Sequence, residues 1–198
     1  MNQSTPFNAL FPVFLKPDKV RILIVGGGKT GYEKLYFILK NSPFALISLV
    51  APEIIDKIRE LAEPFENVSL VNREFLPEDL KDAGILILAT GKHELNQHIR
   101  RLAVQRHILT NVADTPELCD FYLGAIVTKG DLKIAISTNG KSPTMARRLR
   151  EIFEYILPDE IQDALEHLYA IRKRLKGDFR NKLKMLNELT SNLVVKDE

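Results

Sequence analysis

Apolar positions in the first half of the chain fall into short runs separated by amphipathic stretches. Val20–Val25, Leu46–Val50, Val68–Val71, Ile85–Ala89 and Ile108–Val112 read as strands. Thr30–Lys40, Glu53–Ala62, Pro77–Lys81 and His93–Arg106 carry helical spacing between them, the third of these short or irregular. Strands that are almost wholly apolar are buried on both faces, and their alternation with helices predicts βαβ units, a parallel sheet and right-handed crossovers. The pattern covers residues 18 to 112.

Beyond Val112 the alternation stops. Phe121–Thr128 and Leu132–Thr138 read as two strands joined around Lys129-Gly130-Asp131, a β-hairpin. Ser142-Pro143 then opens a helix, since serine is a good N-cap and proline suits the first helical position, and Leu157-Pro158 ends it. From Asp159 to about Leu193 the pattern is helical, with Ile161, Leu165, Leu168 and Leu175 spaced for one buried face and Gly177-Asp178 as a break. The expected fold class is α/β: a Rossmann-type parallel sheet domain over 1–113, a small α+β segment over 114–148 and a helical C-terminal region over 149–198.

A chain of 198 residues with 45% hydrophobic content can bury a substantial core. Lys+Arg 28 against Asp+Glu 26 creates no global field toward nucleic acid or an anionic membrane, so neither is expected as a partner. The lone cysteine, Cys119, excludes an intramolecular disulfide and a metal site built of cysteines alone. No apolar run approaches membrane-spanning length, and the N-terminal stretch lacks the features of a signal peptide. A soluble cytoplasmic protein is the expectation.

Gly26-Gly27-Gly28-Lys29-Thr30-Gly31 matches G-x-G-x-x-G directly after a buried strand and at the mouth of a helix. The first glycine permits the tight turn, the second lets the backbone approach a pyrophosphate, and the third lets helix and strand pack closely. Lys29 and Thr30 then sit in the first helical turn, where unpaired N–H groups favour an anion. A Walker-type phosphate loop is excluded at this point, because no Gly-Lys-Ser/Thr follows at the required spacing. Glu53, just past the second strand, is placed either to reach ribose hydroxyls or to act as a first-turn helix acid. The absence of a cation between it and Lys57 favours NAD over NADP.

Asp114 follows the last parallel strand and belongs at that strand's C-terminal end, the edge at which open α/β sheets bind ligands. A carboxylate there suits proton transfer, and it equally suits an Asx turn or a cap before Thr115-Pro116. Lys141, Arg147, Arg148 and Arg150 fall in a stretch, 139–150, that contains no acid. With a helix starting at Ser142-Pro143 this reads as an anion site or as a solvated helix face. Tyr36…Lys40 and Tyr169…Lys173 fit Tyr-x-x-x-Lys but lie on the wrong helices for a short-chain dehydrogenase pair. The histidines show no metal-ligand spacing, and no resident metal is expected.

Several blocks, taken in order, resemble the precorrin-2 dehydrogenase / sirohydrochlorin ferrochelatase family, which includes the N-terminal module of siroheme synthases. They are Phe11-Pro12-Val13-Phe14-Leu15, Val25-Gly26-Gly27-Gly28 with Lys34, Ala51-Pro52, and Ala89-Thr90 with Asn96. Asn111-Val112-Ala113-Asp114, Cys119-Asp120-Phe121, Ile134 through Pro143 and Ala146-Arg147 follow. Gly31, Asn139 and Gly124 depart from the family's usual residues, and none of these removes a reactive group. The resemblance implies NAD-dependent oxidation of precorrin-2 to sirohydrochlorin, with Asp114 as general base and, in bifunctional members, a part in inserting Fe²⁺ as substrate. It implies cofactor contacts from Pro52 and Thr90 beside the glycine loop. Ser137, Thr138 and Ser142 would line the substrate site, with Lys141, Arg147 and Arg150 facing the tetrapyrrole's carboxylates. It also implies a homodimer exchanging the hairpin segment. A non-catalytic NAD(H)-sensing or ligand-binding module on the same fold is the alternative.

Overall fold

The computed structural model describes residues 8–175 and 179–190. Four segments of the first half are strands because their side chains alternate between two apolar layers. These are β1 (Ile22–Val25), β2 (Ile47–Ala51), β4 (Ile85–Leu88) and β5 (Leu109–Val112), joined by β3 (Val68–Asn72) at the far edge. They form a five-stranded sheet in the order β3-β2-β1-β4-β5 with every pairing parallel.

Ile22 and Ile24, with Ile47, Leu49, Ile85 and Ile87, face α1 (Lys29–Asn41) and α2 (Asp56–Ala62). Leu23 and Val25, with Val50, Leu86, Leu88 and Val112, face α3 (His93–Gln105). Each helix contributes a stripe at helical spacing: Leu35, Ile38 and Leu39 on α1, and Asn96, Ile99 and Ala103 on α3. The short stretch Pro77–Leu80 is a 3₁₀ turn that drops Leu80 into the second layer. It is held by Asp79, which accepts two hydrogen bonds from Arg73, at 2.8 and 2.6 Å, and one from the Leu76 N–H at 2.9 Å.

Two compact units emerge: residues 1–124 with 137–142, and residues 125–136 with 143–198. In the second, β6 (Ala125–Lys129) and β7 (Leu132–Ile136) form an antiparallel hairpin closed by Gly130, whose φ is 55°. It packs on α4 (Pro143–Ile156), burying Val127 and Ala146. Next along the chain is α5 (Ile161–Arg174), whose Gln162 accepts from the Asp131 N–H at 2.7 Å and so docks on the hairpin turn. The last described element is α6 (Phe179–Leu189).

Three expectations are corrected. The boundary expected at 148/149 falls inside α4, and the structure divides the chain at the hairpin instead. The first hairpin strand begins at Ala125 rather than Phe121, because Phe121 and Leu123 are drawn onto the first apolar layer of the sheet. Ile161, Leu165 and Leu168 share a face of α5 that is half-buried rather than buried, and Leu175, expected on the same face, is instead the extended C-cap of that helix. The break expected at Gly177-Asp178 lies outside the described residues. No helix among the described residues is long and apolar enough to cross a membrane.

The Arg73 guanidinium holds the Asp79 carboxyl below its ordinary value, with the Leu76 N–H adding to the effect. A group lowered in the folded state contributes stability above its unfolded pKa and loses that contribution as pH falls through the folded value. Asp79→Ala should therefore lower the unfolding free energy by about 1 kcal/mol near neutral pH. The difference should be complete above 3.8 and shrink below it. Urea unfolding of both proteins near pH 7 and near pH 2 checks this, and an equal loss at both would refute it.

Candidate functional site

Parallel register brings the carboxyl ends of the central strands to one level: Val25 pairs with Val50 and Leu88, and Leu88 pairs with Val112. The chain order reverses between β1 and β4, the crevice where open α/β sheets take ligands. Gly26-Gly27-Gly28, Thr90 and Asp114 all follow strands that end at this edge.

The glycine loop is tight for identifiable reasons. Gly26 has φ 127°, and a Cβ there would lie 2.2 Å from the Ala89 carbonyl oxygen. A Cβ on Gly27 would lie 2.1 Å from the Glu53 carbonyl oxygen, and one on Gly31 would lie 2.1 Å from that of Gly26. These glycines let the loops after β1, β2 and β4 close against one another. Gly28 differs, because a Cβ there would meet nothing within 4 Å. It stands as the N-cap of α1, with no side chain capping the helix and no acid in the first turn. The first-turn amides of Lys29 and Thr30 therefore have no side-chain cap at the positive end of the helix dipole. This cradle fits the pyrophosphate of a dinucleotide.

The neighbouring loops are braced. The Thr90 hydroxyl donates to Asn96 Oδ1 at 2.6 Å and accepts from the Lys92 N–H at 3.1 Å, so it holds its own loop. The Pro52 carbonyl accepts from Asn72, whose own Oδ1 accepts from Arg59 at 2.6 Å. Because α2 begins at Asp56 rather than Glu53, Glu53 is not a first-turn acid. It is an exposed carboxylate in the loop beside Gly27.

Asp114 adopts φ 59°, a left-handed conformation uncommon for a residue with a side chain. Its neighbours are tied down: the Ala113 N–H donates to the Leu88 carbonyl at 2.9 Å and the Thr115 N–H to that of Val112 at 3.4 Å. The exposed Asp114 carboxylate takes no hydrogen bond or ion pair among the described residues. It therefore makes neither an Asx turn nor a cap, since the turn Pro116–Leu118 has Thr115 at its cap position without a side-chain bond.

The segment 137–142 groups with the sheet unit. Its hydroxyls are spent on its own turn: Ser137 accepts from the Asn139 N–H at 3.2 Å, and Thr138 exchanges bonds with Ser142 at 3.0 and 3.1 Å. Asn139 and Gly140 supply the positive φ values, 54° and 74°, that bend it. Lys141 is left exposed and outside every ion pair of the described residues. Pro143 opens α4 as expected.

Arg147 and Arg150 lie in the other unit. Arg147 and Arg148 both bond Glu151, at 3.0 and 2.8 Å, and these guanidiniums, Arg148 foremost, hold its carboxyl below the ordinary range. Arg150 faces Glu154 at 3.8 Å. The cation cluster has its counter-ions just beyond residue 150, at helical spacing. The two Tyr-x-x-x-Lys matches have structural uses. Tyr36 stacks on Tyr32 at 6.2 Å, and the Lys173 ammonium sits 4.5 Å over the Tyr169 ring.

Sequence reasoning missed the bonding around Asp114. Arg100 donates to Asp120 at 2.6 Å and to the Leu118 carbonyl at 3.1 Å, and Asp120 accepts the Thr110 N–H at 2.9 Å. The adjacent Cys119-Asp120 pair was the available signal, but its partner Arg100 is distant in sequence.

Comparison with known proteins is consistent with this geometry. Residues 13–125 match the family model described as NAD(P)-binding, and residues 129–154 match the one described as sirohaem biosynthesis protein central. Siroheme synthase 3 of Aeromonas hydrophila is 32% identical over 168 residues, covering 85% of this chain and 35% of that protein. Siroheme synthase of Pseudoalteromonas translucida is 34% identical over 170 residues, covering 86% of this chain and 35% of that protein. The chain thus spans about a third of the length of the curated relatives it matches. Among solved structures, "SirC, precorrin-2 dehydrogenase" superposes with a TM-score of 0.72 over 94% of both chains, at 24% identity, a likeness of fold.

The contrast between Gly27 and Gly28 is testable. Gly28→Ala should leave the unfolding free energy unchanged, to within about 0.5 kcal/mol, while its methyl occupies the cradle and weakens NAD binding at least about tenfold. Gly27→Ala should destabilise the fold itself, since the clash is with backbone. Melting curves beside NAD titration calorimetry check both. A Gly28→Ala protein that binds NAD normally would remove the cradle from the site.

Proposed function

Because the chain belongs to the NAD(P)-binding family of siroheme biosynthesis proteins, we propose that it oxidises precorrin-2 to sirohydrochlorin with NAD as acceptor. The observation that carries this reading is Asp114: a carboxylate with no bond among the described residues, in a costly backbone conformation, at the edge of the sheet that bears the glycine cradle. A turn residue would use its side chain locally, and this one does not.

Bound NAD supplies the two-electron acceptor that takes hydride from the reduced macrocycle. The chain's own residues do the rest. The first turn of α1 fixes the pyrophosphate, and Glu53 takes ribose hydroxyls. Asp114 accepts the proton released as the macrocycle loses hydride, so that one hydride and one proton leave together. Lys141 meets a peripheral carboxylate of the substrate, while Ser137, Thr138 and Ser142 shape the turn that presents it. Iron insertion into the product needs no protein cage, since the macrocycle provides the nitrogens and Asp114 can take the displaced protons. Among the described residues no cluster of His, Cys, Asp or Glu would hold a resident metal. A homodimer built through the hairpin is supported by the exposed apolar side chains of α4, Met145, Ile152, Tyr155 and Ile156.

The test is anaerobic turnover of precorrin-2 with NAD, followed by absorbance of sirohydrochlorin. Asp114→Asn should lower kcat roughly 10²- to 10⁴-fold, with unfolding free energy unchanged to within about 0.5 kcal/mol, because no bond is lost. Full activity in the variant would reduce Asp114 to a backbone element. No turnover in the wild type despite NAD binding would leave the sensing module.

A further inference from the structure

The Asp114 carboxylate takes no hydrogen bond or ion pair among the described residues, so the backbone of residues 113–119 locates it. That loop is fastened to β5 at a second point. Cys119 Sγ accepts the Val112 N–H at 3.2 Å and lies 3.3 Å from the Val112 carbonyl, to which its S–H can donate. Asp120 returns the chain to the same strand: its N–H donates to the Thr110 carbonyl at 2.8 Å and its carboxylate accepts the Thr110 N–H at 2.9 Å. Arg100, from α3, grips both ends of this return through Asp120 Oδ1 and the Leu118 carbonyl. The Arg100–Asp120 pair is only partly exposed, at 17% and 30%, and carries the charge-assisted bonds that outweigh neutral ones. The buried Asn111 adds a bond to the Phe121 carbonyl at 2.9 Å. A loop with ends this firmly held can keep Asp114 in a left-handed conformation that it would otherwise leave.

We propose that Arg100, Asp120 and Cys119 are positioning residues, a brace from α3 to β5 that sets the Asp114 carboxylate without touching substrate or cofactor. The inference rests on the reading of Asp114 as the proton acceptor. Since Cys119 is the chain's only cysteine, its alkylation reports the brace directly, whether or not the protein turns over.

The experiment compares wild type, Arg100→Ala and Asp120→Asn in the full chain. Each is measured for the rate of iodoacetamide alkylation and for precorrin-2 oxidation, and the oxidation is repeated on an Asp114→Asn background. Loss of a charge-assisted bond should speed alkylation about tenfold. Displacement of the carboxylate should lower kcat roughly ten- to a hundredfold with the KM for NAD unchanged. On the Asp114→Asn background no further loss should occur, because there is no carboxylate left to position. An unchanged alkylation rate, or losses that multiply on that background, would overturn the brace. Cys119→Ala, which leaves the ion pair intact, should show the same kcat loss and the same non-additivity, and serves if Arg100→Ala fails to fold. A wild type without turnover would retire the proposed function. The alkylation comparison would then judge the brace by itself.

Discussion

Closest approach of backbone to backbone at the glycine loop is the constraint on which the rest depends. At Gly26, Gly27 and Gly31, carbonyl oxygens occupy the space a Cβ would need. That contact draws the loops after β1, β2 and β4 together, starts α1 where it starts, and leaves its first amides without a cap. An anion site then follows from geometry, since unsatisfied N–H groups and the helix dipole converge on one open position. Gly28, with nothing beside it, marks that position.

The other half of the site follows a different rule. Around the glycine loop the backbone is fixed by packing, whereas around Asp114 it is fixed by polar bonds from α3 and from the returning chain. Two strands of the same sheet thereby present two kinds of surface at one edge. One is a tight, neutral cradle, and the other is a single carboxylate on a fastened loop. Separating the cradle from the carboxylate in this way lets one residue change without disturbing the packing of the other.

Much of this was legible in the sequence. The parallel sheet was visible because strands buried on both faces leave long apolar runs, and the glycine loop because Gly26, Gly27 and Gly31 stand where backbone leaves no room for a Cβ. Asp114 was visible by position, but its left-handed backbone and free carboxylate were not, because neither leaves a mark on local composition. Phe121 and Leu123 read as a strand since apolar alternation cannot distinguish a hairpin from a segment packed onto a neighbouring sheet. Glu151 escaped notice for a simpler reason: the acid-free stretch ends one residue before it, and helical neighbours are three and four apart. Arg100 and Asp120 meet only once the chain has folded, so no spacing rule could pair them.

The fastening of β5 also bears on how the protein behaves in a crowded solution. An open parallel sheet has two edges, and each is a template on which a foreign strand can build. At β5 the outward N–H groups of Thr110 and Val112 are already taken, by a carboxylate and a thiol rather than by another strand. Side chains cannot propagate a ladder. The sheet is therefore terminated chemically at that side, and strand-by-strand aggregation has no starting point along β5.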